Sequence, residues 1–362
     1  MMIYTNQSVL EAAKERIAYI FDEFESIVVA ISGGKDSTVL AHMALEEAHK
    51  RGRKIGLFFR DGELIFESVI RQIRYLMNLY PENTIKYWLQ IPYTKTISTS
   101  LSDSQFVAWD PRKKSVWMRE QEPDSLKALP WKPDFYSDSG FTSIQDAFAD
   151  GFKNAAFLLG LRAEESPNRR RAVSKNPGYK DTLYSTRKAH GNVNFYPLYD
   201  WQFHDIWRYI WEEKLQYPDI YDFQWLKGLP TREMRISFFA HARSLKSLAD
   251  LQEFEPDTYE RLTRRIKGVQ TGALYCKDGQ SFEAKKLPKA FKTWTQYRDY
   301  LLKTYPDQER RAFFEEKFCG QEENEWVARQ QCRQLLYGSE RLVVKSKPDP
   351  RKETRKKWRS LL

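Results

Sequence analysis

The chain has 362 residues, 41% of them hydrophobic and 15% aromatic, which is enough to bury a full core and excludes a disordered polymer. Its 59 Lys and Arg against 49 Asp and Glu leave a formal charge of +10, which favours anionic partners: nucleotides, nucleic acid, or both. Three widely spaced cysteines exclude a disulfide scaffold, no apolar run reaches membrane-spanning length, and residues 1–16 lack a signal-like pattern, so a cytoplasmic protein without membrane contact is expected.

In chain order, Val9, Leu10, Ala13, Ile17, Ile20, Phe21 and Phe24 fall at helical spacing and predict an amphipathic helix over 8–24. A β-branched run, Ile27 to Ile31, follows. Then come Ser32-Gly33-Gly34-Lys35-Asp36-Ser37 and a second helical pattern through Val39, Leu40, Met43 and Ala44. Strand, glycine turn and helix in that order make a phosphate cradle. The glycines let the backbone fold tightly with its N–H groups inward, and the helix start adds free N–H groups and a positive dipole end. Lys35 adds charge, and Ser32 and Ser37 add hydroxyls. Asp36 repels phosphate directly and is expected to act through Mg²⁺ or a metal-bound water. A Walker loop is excluded, because its first glycine would stand where Val29 does and Lys35-Asp36 replaces Lys-Ser/Thr. A dinucleotide fingerprint fails for want of a third glycine.

Ile55 to Phe59 predicts a second buried strand, ending at the Arg60-Asp61-Gly62-Glu63 turn with its two carboxylates. Phe66, Val69, Ile70, Ile73, Leu76 and Met77 predict a helix, and Ile85 to Ile91 a third strand stopped by Pro92. The stretch over about 93–140 is irregular, with Trp109, Trp117 and Trp131 among Arg112, Lys113, Lys114 and Arg119. Two readings stay open there: aromatic and basic side chains that stack on bases and touch phosphates, or tryptophans that pack a lid onto the core. Ala155 to Gly160 predicts a fourth strand that runs into Leu161-Arg162-Ala163-Glu164-Glu165-Ser166-Pro167-Asn168-Arg169. Arg162 and Arg169 are planar forks suited to phosphate or sulfate, and Glu164 and Glu165 suit Mg²⁺ or those arginines. Alternation of strands and helices predicts an α/β fold with a doubly wound, mostly parallel sheet. Beyond about residue 240 the spacing predicts short helices. The boundaries expected are therefore a nucleotide-binding domain over 1–240, including the 93–140 insertion, and a helical region over 241–362 with a basic tail from Lys345.

Ser32 to Ser37 resembles the PP-loop of the ATP pyrophosphatase superfamily. Gly160-Leu161-Arg162-Ala163-Glu164-Glu165-Ser166-Pro167-Asn168-Arg169 resembles a signature of its phosphoadenosine-phosphosulfate (PAPS) reductase branch. So do the segment from Phe58 to Ser68, with Gly62 and Glu63 replacing Thr and Gly, and the segment from Tyr196 to Trp207. The resemblance implies an adenine nucleotide alpha hydrolase-like fold and ATP or PAPS as ligand. It implies nucleotide binding by Ser32, Gly33, Gly34, Lys35, Asp36, Ser37, Asp61, Gly160 and Arg162, with Lys35, Asp36, Asp61 and Arg162 in the chemistry. Asp36 would hold the metal, Mg²⁺. A second anion or the substrate would meet Arg162, Glu165, Arg169 and Arg170. The reaction implied is adenylylation of a substrate with pyrophosphate release.

The chain departs from the reductases in its cysteines. They need Glu-Cys-Gly-x-His near the C-terminus, whereas Cys319-Gly320 here lacks the Glu and the His. Cys276, Cys319 and Cys332 cannot supply an iron–sulfur set, so no such cluster is expected and thioredoxin-dependent PAPS reduction is disfavoured. Thr231 to Ser237, with Trp109-Asp110 and Trp117-Met118-Arg119, resembles the IbrA-like subfamily, which carries a domain of unknown function and is often accompanied by a ParB-like partner. That resemblance keeps a second expectation open: a non-catalytic, nucleotide-gated regulator acting on gene expression or DNA, with the basic tail touching nucleic acid.

Overall fold

The structure, a computed structural model, describes residues 6–96, 105–135, 141–174, 178–231, 234, 236, 239, 245–269 and 287–337. They fall into two compact units. The first draws its described residues from Met1–Lys95, Val107–Phe239 and Asp250–Arg265, the second from Thr96–Phe106, Ala240–Ala249 and Ile266–Leu362.

In chain order, α1 (Val9–Glu23) begins at a capping box. Ser8 Oγ accepts from the Glu11 N–H at 3.2 Å, and the Glu11 carboxylate accepts from the Ser8 N–H at 3.1 Å. The helix buries Ala13, Ile17, Ile20 and Phe21, the stripe that the spacing predicts. Then come β1 (Ser26–Ala30), α2 (Lys35–Lys50), β2 (Ile55–Arg60), α3 (Glu67–Met77) and β3 (Thr84–Leu89). After β4 (Tyr93–Thr96) and β5 (Gln105–Ala108), which form a separate two-stranded sheet, the chain continues through α4 (Phe141–Ala149), β6 (Ala155–Leu159) and α5 (Pro167–Ser174). The short strands β7 (Ser185–Arg187) and β8 (Val193–Phe195) precede α6 (Phe203–Glu212), α7 (Ile220–Leu226), α8 (Leu245–Phe254) and α9 (Pro256–Arg265).

The main sheet has the order β3-β2-β1-β6-β8-β7. β1 lies parallel to both neighbours, with Val28 opposite Gly56 of β2 and Phe157 of β6. β2–β3 and β6–β8 are also parallel, and β7 runs antiparallel to β8. The fold is thus the doubly wound, mostly parallel sheet that the sequence predicts. β1, β2 and β6 are near-continuous apolar runs because helices cover both faces of a parallel sheet. From β1 the chain works outward through β2 and β3 and returns on the other side at β6. The order therefore reverses between β1 and β6, and their carboxyl ends leave a crevice there.

The described part of the 93–140 stretch is less irregular than expected, and its tryptophans pack. Trp109 is fully buried; its Nε1–H donates to the Asp61 carbonyl at 2.9 Å and its N–H to Glu63 Oε2 at 2.7 Å. Trp117 Nε1–H donates to the Asp110 carbonyl and Trp131 Nε1–H to the Ala147 carbonyl. Arg119 pairs with Asp61 rather than facing solvent. The structure thus favours packing over stacking on bases.

The second unit contains α10 (Trp294–Lys303), α11 (Gln308–Phe318) and α12 (Glu325–Tyr337), the short helices expected there. Phe314, Phe318 and Leu335 form a small core with Leu301, Leu302 and Tyr305. No helix among the described residues is long and apolar enough to cross a membrane. The tail from Lys345, Cys276, and Arg232, Glu233, Arg235 and Ser237 lie outside the described residues.

One buried group makes stability depend on pH. His42 of α2 is almost wholly buried, with Nδ1 2.8 Å from the Tyr209 hydroxyl. Glu46 of the same helix, Glu213 after α6, Lys14 of α1 and Tyr80 surround it. Burial pushes the imidazole below its usual pKa, Lys14 adds to this, and Glu46 and Glu213 only partly oppose it. A depressed folded pKa means that the unfolded chain binds the proton first. The contribution is complete above pH 6.5 and is lost as pH falls through the folded value. Wild type should therefore lose stability relative to His42→Gln below pH 6.5, by at most about 1.4 kcal/mol per pH unit. Parallel denaturant-unfolding curves across pH 5–8 for the two proteins would refute this.

Candidate functional site

The loop after β1 is shaped before any ligand arrives. Ile31 N–H donates to the Phe58 carbonyl at 2.9 Å and extends the β1–β2 pairing to the edge of the turn. Gly33 then takes a φ of 74°, the left-handed region. A Cβ there would stand 2.6 Å from Val69 Cγ1, so the close packing of α3 is a second reason for glycine. Gly34 is the N-cap of α2. Ser37 Oγ donates to the Gly34 carbonyl at 2.9 Å and accepts from the Ser32 N–H at 3.1 Å, while Ser32 Oγ stands 3.2 Å from Ser37 Oγ. The two serine hydroxyls thus brace the loop at the α2 start.

β6 forms the other wall. Gly160 is required by close approach: its Cβ would lie 3.1 Å from the Asp36 carbonyl group and 3.2 Å from the Ser37 nitrogen. Gly160→Ala should overpack the floor, cost about 1–3 kcal/mol and displace the α2 start. Denaturant unfolding and ligand titration that both match wild type would show that this contact has slack.

Between these walls opens a cleft of about 630 Å³, lined by Ser32, Gly34, Lys35, Asp36 and Ser37 on one side and Gly160, Arg162, Glu164, Glu165 and Arg169 on the other. It sits at the β1–β6 reversal. Lys35 Nζ is 3.1 Å from Asp36 Oδ2 and lies between two aromatic rings, 5.5 Å from the centre of Tyr221 and 5.8 Å from that of Phe203. Arg162 is buried and pairs through Nε with Asp36 Oδ1 and through Nη1 with Glu164 Oε2 at 2.5 Å, and lies 3.9 Å from Glu165. Glu164 also accepts from the Phe203 N–H at 2.8 Å, which ties the β6 loop to the start of α6. Arg169 pairs with Glu165. Burial and the neighbouring Asp36 push the Glu165 carboxyl above its usual range, against the opposing pull of Arg169, Arg162 and Lys35.

Three of the expected site residues stand elsewhere. Gly33 shapes the loop without lining the cleft. Arg170 is exposed and also outside the lining. Asp61 is fully buried away from the cleft. Its Oδ1 accepts from the Glu63 N–H at 2.9 Å and pairs with Arg119; its Oδ2 accepts from Trp88 Nε1–H and Gln90 Nε2–H, each at 2.9 Å. With both oxygens filled, Asp61 has the environment of a structural anchor. In the other direction, Gln145, Phe203 and Tyr221 line the cleft without having been anticipated, together with Thr231, Met234 and Ile236 of the Thr231–Ser237 segment that the sequence singles out. For Phe203 and Tyr221 the sequence carries one signal: Phe203 lies within the Tyr196–Trp207 segment, and Tyr221 follows it among apolar residues at helical spacing.

The chain is similar to several known proteins. A family model described as the phosphoadenosine phosphosulfate reductase domain matches residues 26–227, and a domain of unknown function, DUF3440, matches residues 228–330. An uncharacterized protein of Escherichia coli, YbdN, is 30% identical over 314 residues, covering 83% of this chain and 76% of that one. The adenosine 5'-phosphosulfate reductase of Staphylococcus saprophyticus is 24% identical over 216 residues, covering 59% and 73%. Among solved structures, the PAPS reductase of Candida auris in a phosphate complex is 14% identical, with a TM-score of 0.33, covering 61% of this chain and 93% of that one.

Proposed function

The chain belongs to the phosphoadenosine phosphosulfate reductase domain family, and on that premise we propose that its cleft binds ATP and transfers the adenylyl group to an acceptor, releasing pyrophosphate. The observation that supports this best is the meeting, in one cleft at the sheet's reversal point, of the loop at the α2 start with Lys35, Arg162 and Arg169. The acceptor's nucleophilic atom forms a bond to the α-phosphorus as the bond to the β-phosphate oxygen breaks, and the acceptor gives up its proton. The loop amides and Lys35 hold the phosphates. Arg162 and Arg169 exchange their carboxylate partners for the charge that develops on the leaving group. Asp36 and Glu165 offer the hard oxygen donors that Mg²⁺ takes, and the ion would screen phosphate charge when bound. The work of the site is positioning and electrostatics.

This reading gives the cysteines no part. Burial pushes the Cys332 thiol up to about 12, and its Sγ lies 3.5 Å from the Trp294 carbonyl oxygen, so it is a poor source of thiolate. Calorimetry with ATP, PAPS and adenylyl sulfate, followed by a pyrophosphate-release assay over a panel of acceptors, tests the proposal. Binding of ATP with acceptor-dependent release is expected, and it should survive Cys319→Ser and Cys332→Ser. Sulfite production from PAPS that Cys319→Ser abolishes would return the chain to the reductases. ATP binding without release from any acceptor would favour the nucleotide-gated regulator.

A further inference from the structure

Tyr221 brings to the cleft a hydrogen-bond donor that no acceptor among the described residues uses. Its ring is buried, 5.4 Å from that of Trp207 and nearly perpendicular to it. Its hydroxyl lines the cleft beside the loop. There the hydroxyl oxygen accepts from the Lys35 N–H at 3.4 Å. That contact uses a lone pair and leaves the phenolic proton unassigned, and no acceptor for it is found among the described residues. Burial, reinforced by Asp36, raises the phenol's pKa and keeps it protonated, so the proton is present across the neutral range. A donor left over beside an open cleft is available to an acceptor that enters it.

An acceptor for this proton would sit beside the start of α2. Asp36 and Glu165, the nearby carboxylates, are committed to Lys35, Arg162 and Arg169. We propose that Tyr221 donates its hydroxyl hydrogen to the phosphate seated at the start of α2, adding a neutral donor from α7 to the charged lysine and the loop amides. This rests on the nucleotide reading of the cleft, and the ligand class is the polyphosphate of a nucleotide or free pyrophosphate.

Tyr221→Phe isolates the donor. It keeps the ring beside the Lys35 ammonium and against Trp207 and deletes only the hydroxyl. Calorimetric titration of ATP and of inorganic pyrophosphate into wild type and Tyr221→Phe should show about tenfold weaker binding of both to the variant. The thermal midpoint of the ligand-free variant should change little, since the variant loses internally only the long 3.4 Å contact in which the hydroxyl oxygen accepts from the Lys35 N–H. If wild type binds neither ligand, the nucleotide reading itself fails. If wild type binds and the variant binds equally well or better, Tyr221 is packing only and this inference falls alone.

Discussion

Lys35→Ala should weaken ATP and pyrophosphate binding by about 1.5–3 kcal/mol, the range for charge-assisted hydrogen bonds, or roughly 10- to 150-fold in dissociation constant. The ammonium is not a free surface charge. It is held between Phe203 and Tyr221 and beside Asp36, so little of its contribution goes into ordering the side chain. Alanine also frees the Asp36 carboxylate on that side, which adds repulsion against an incoming phosphate. The loop itself should survive, because Ser32, Gly34 and Ser37 brace one another without Lys35. Calorimetry giving equal affinities for the variant and wild type would remove the loop from the site.

Asp61→Asn should destabilise the fold by about 3–5 kcal/mol and leave nucleotide affinity nearly unchanged. The carboxylate receives four donors, from Glu63, Trp88, Gln90 and Arg119, and is inaccessible to solvent. An asparagine presents one acceptor oxygen and one amide, so it sets a donor against donors and leaves a buried guanidinium unpaired. Urea unfolding supplies the stability and calorimetry the affinity. Wild-type stability combined with lost ATP binding would return Asp61 to the cleft.

The two residues mark where the sequence is legible and where it is not. Lys35 lies in a six-residue run whose strand, turn and helix are all local, and the chemistry of that run is visible without the fold. β1, β2 and β6 are legible for the same reason, as short apolar runs between turns. β7 and β8 are three residues each, too short for a period to show. Asp61 stands at a strand end, as a site carboxylate does, but Trp88, Gln90 and Arg119 come from 27, 29 and 58 residues away. Only the packed protein shows that they claim it. The same long-range pairing orders Trp109 and Arg119 in the stretch that local spacing leaves irregular. Tyr221 reaches the loop from 186 residues away, and no spacing rule connects them.

The ion pairs of the cleft carry a consequence for how it is filled. Lys35, Arg162 and Arg169 face Asp36, Glu164 and Glu165, three cations against three anions. Such a set is nearly neutral from a distance, so it offers little long-range pull on a nucleotide and its capture rate should respond only weakly to ionic strength. Entry is an exchange of counterions. A singly charged anion such as chloride cannot replace several internal carboxylates at once, whereas a polyphosphate meets several cations in one event. The expected result is a valency filter: added chloride should compete weakly with a polyphosphate for the cleft.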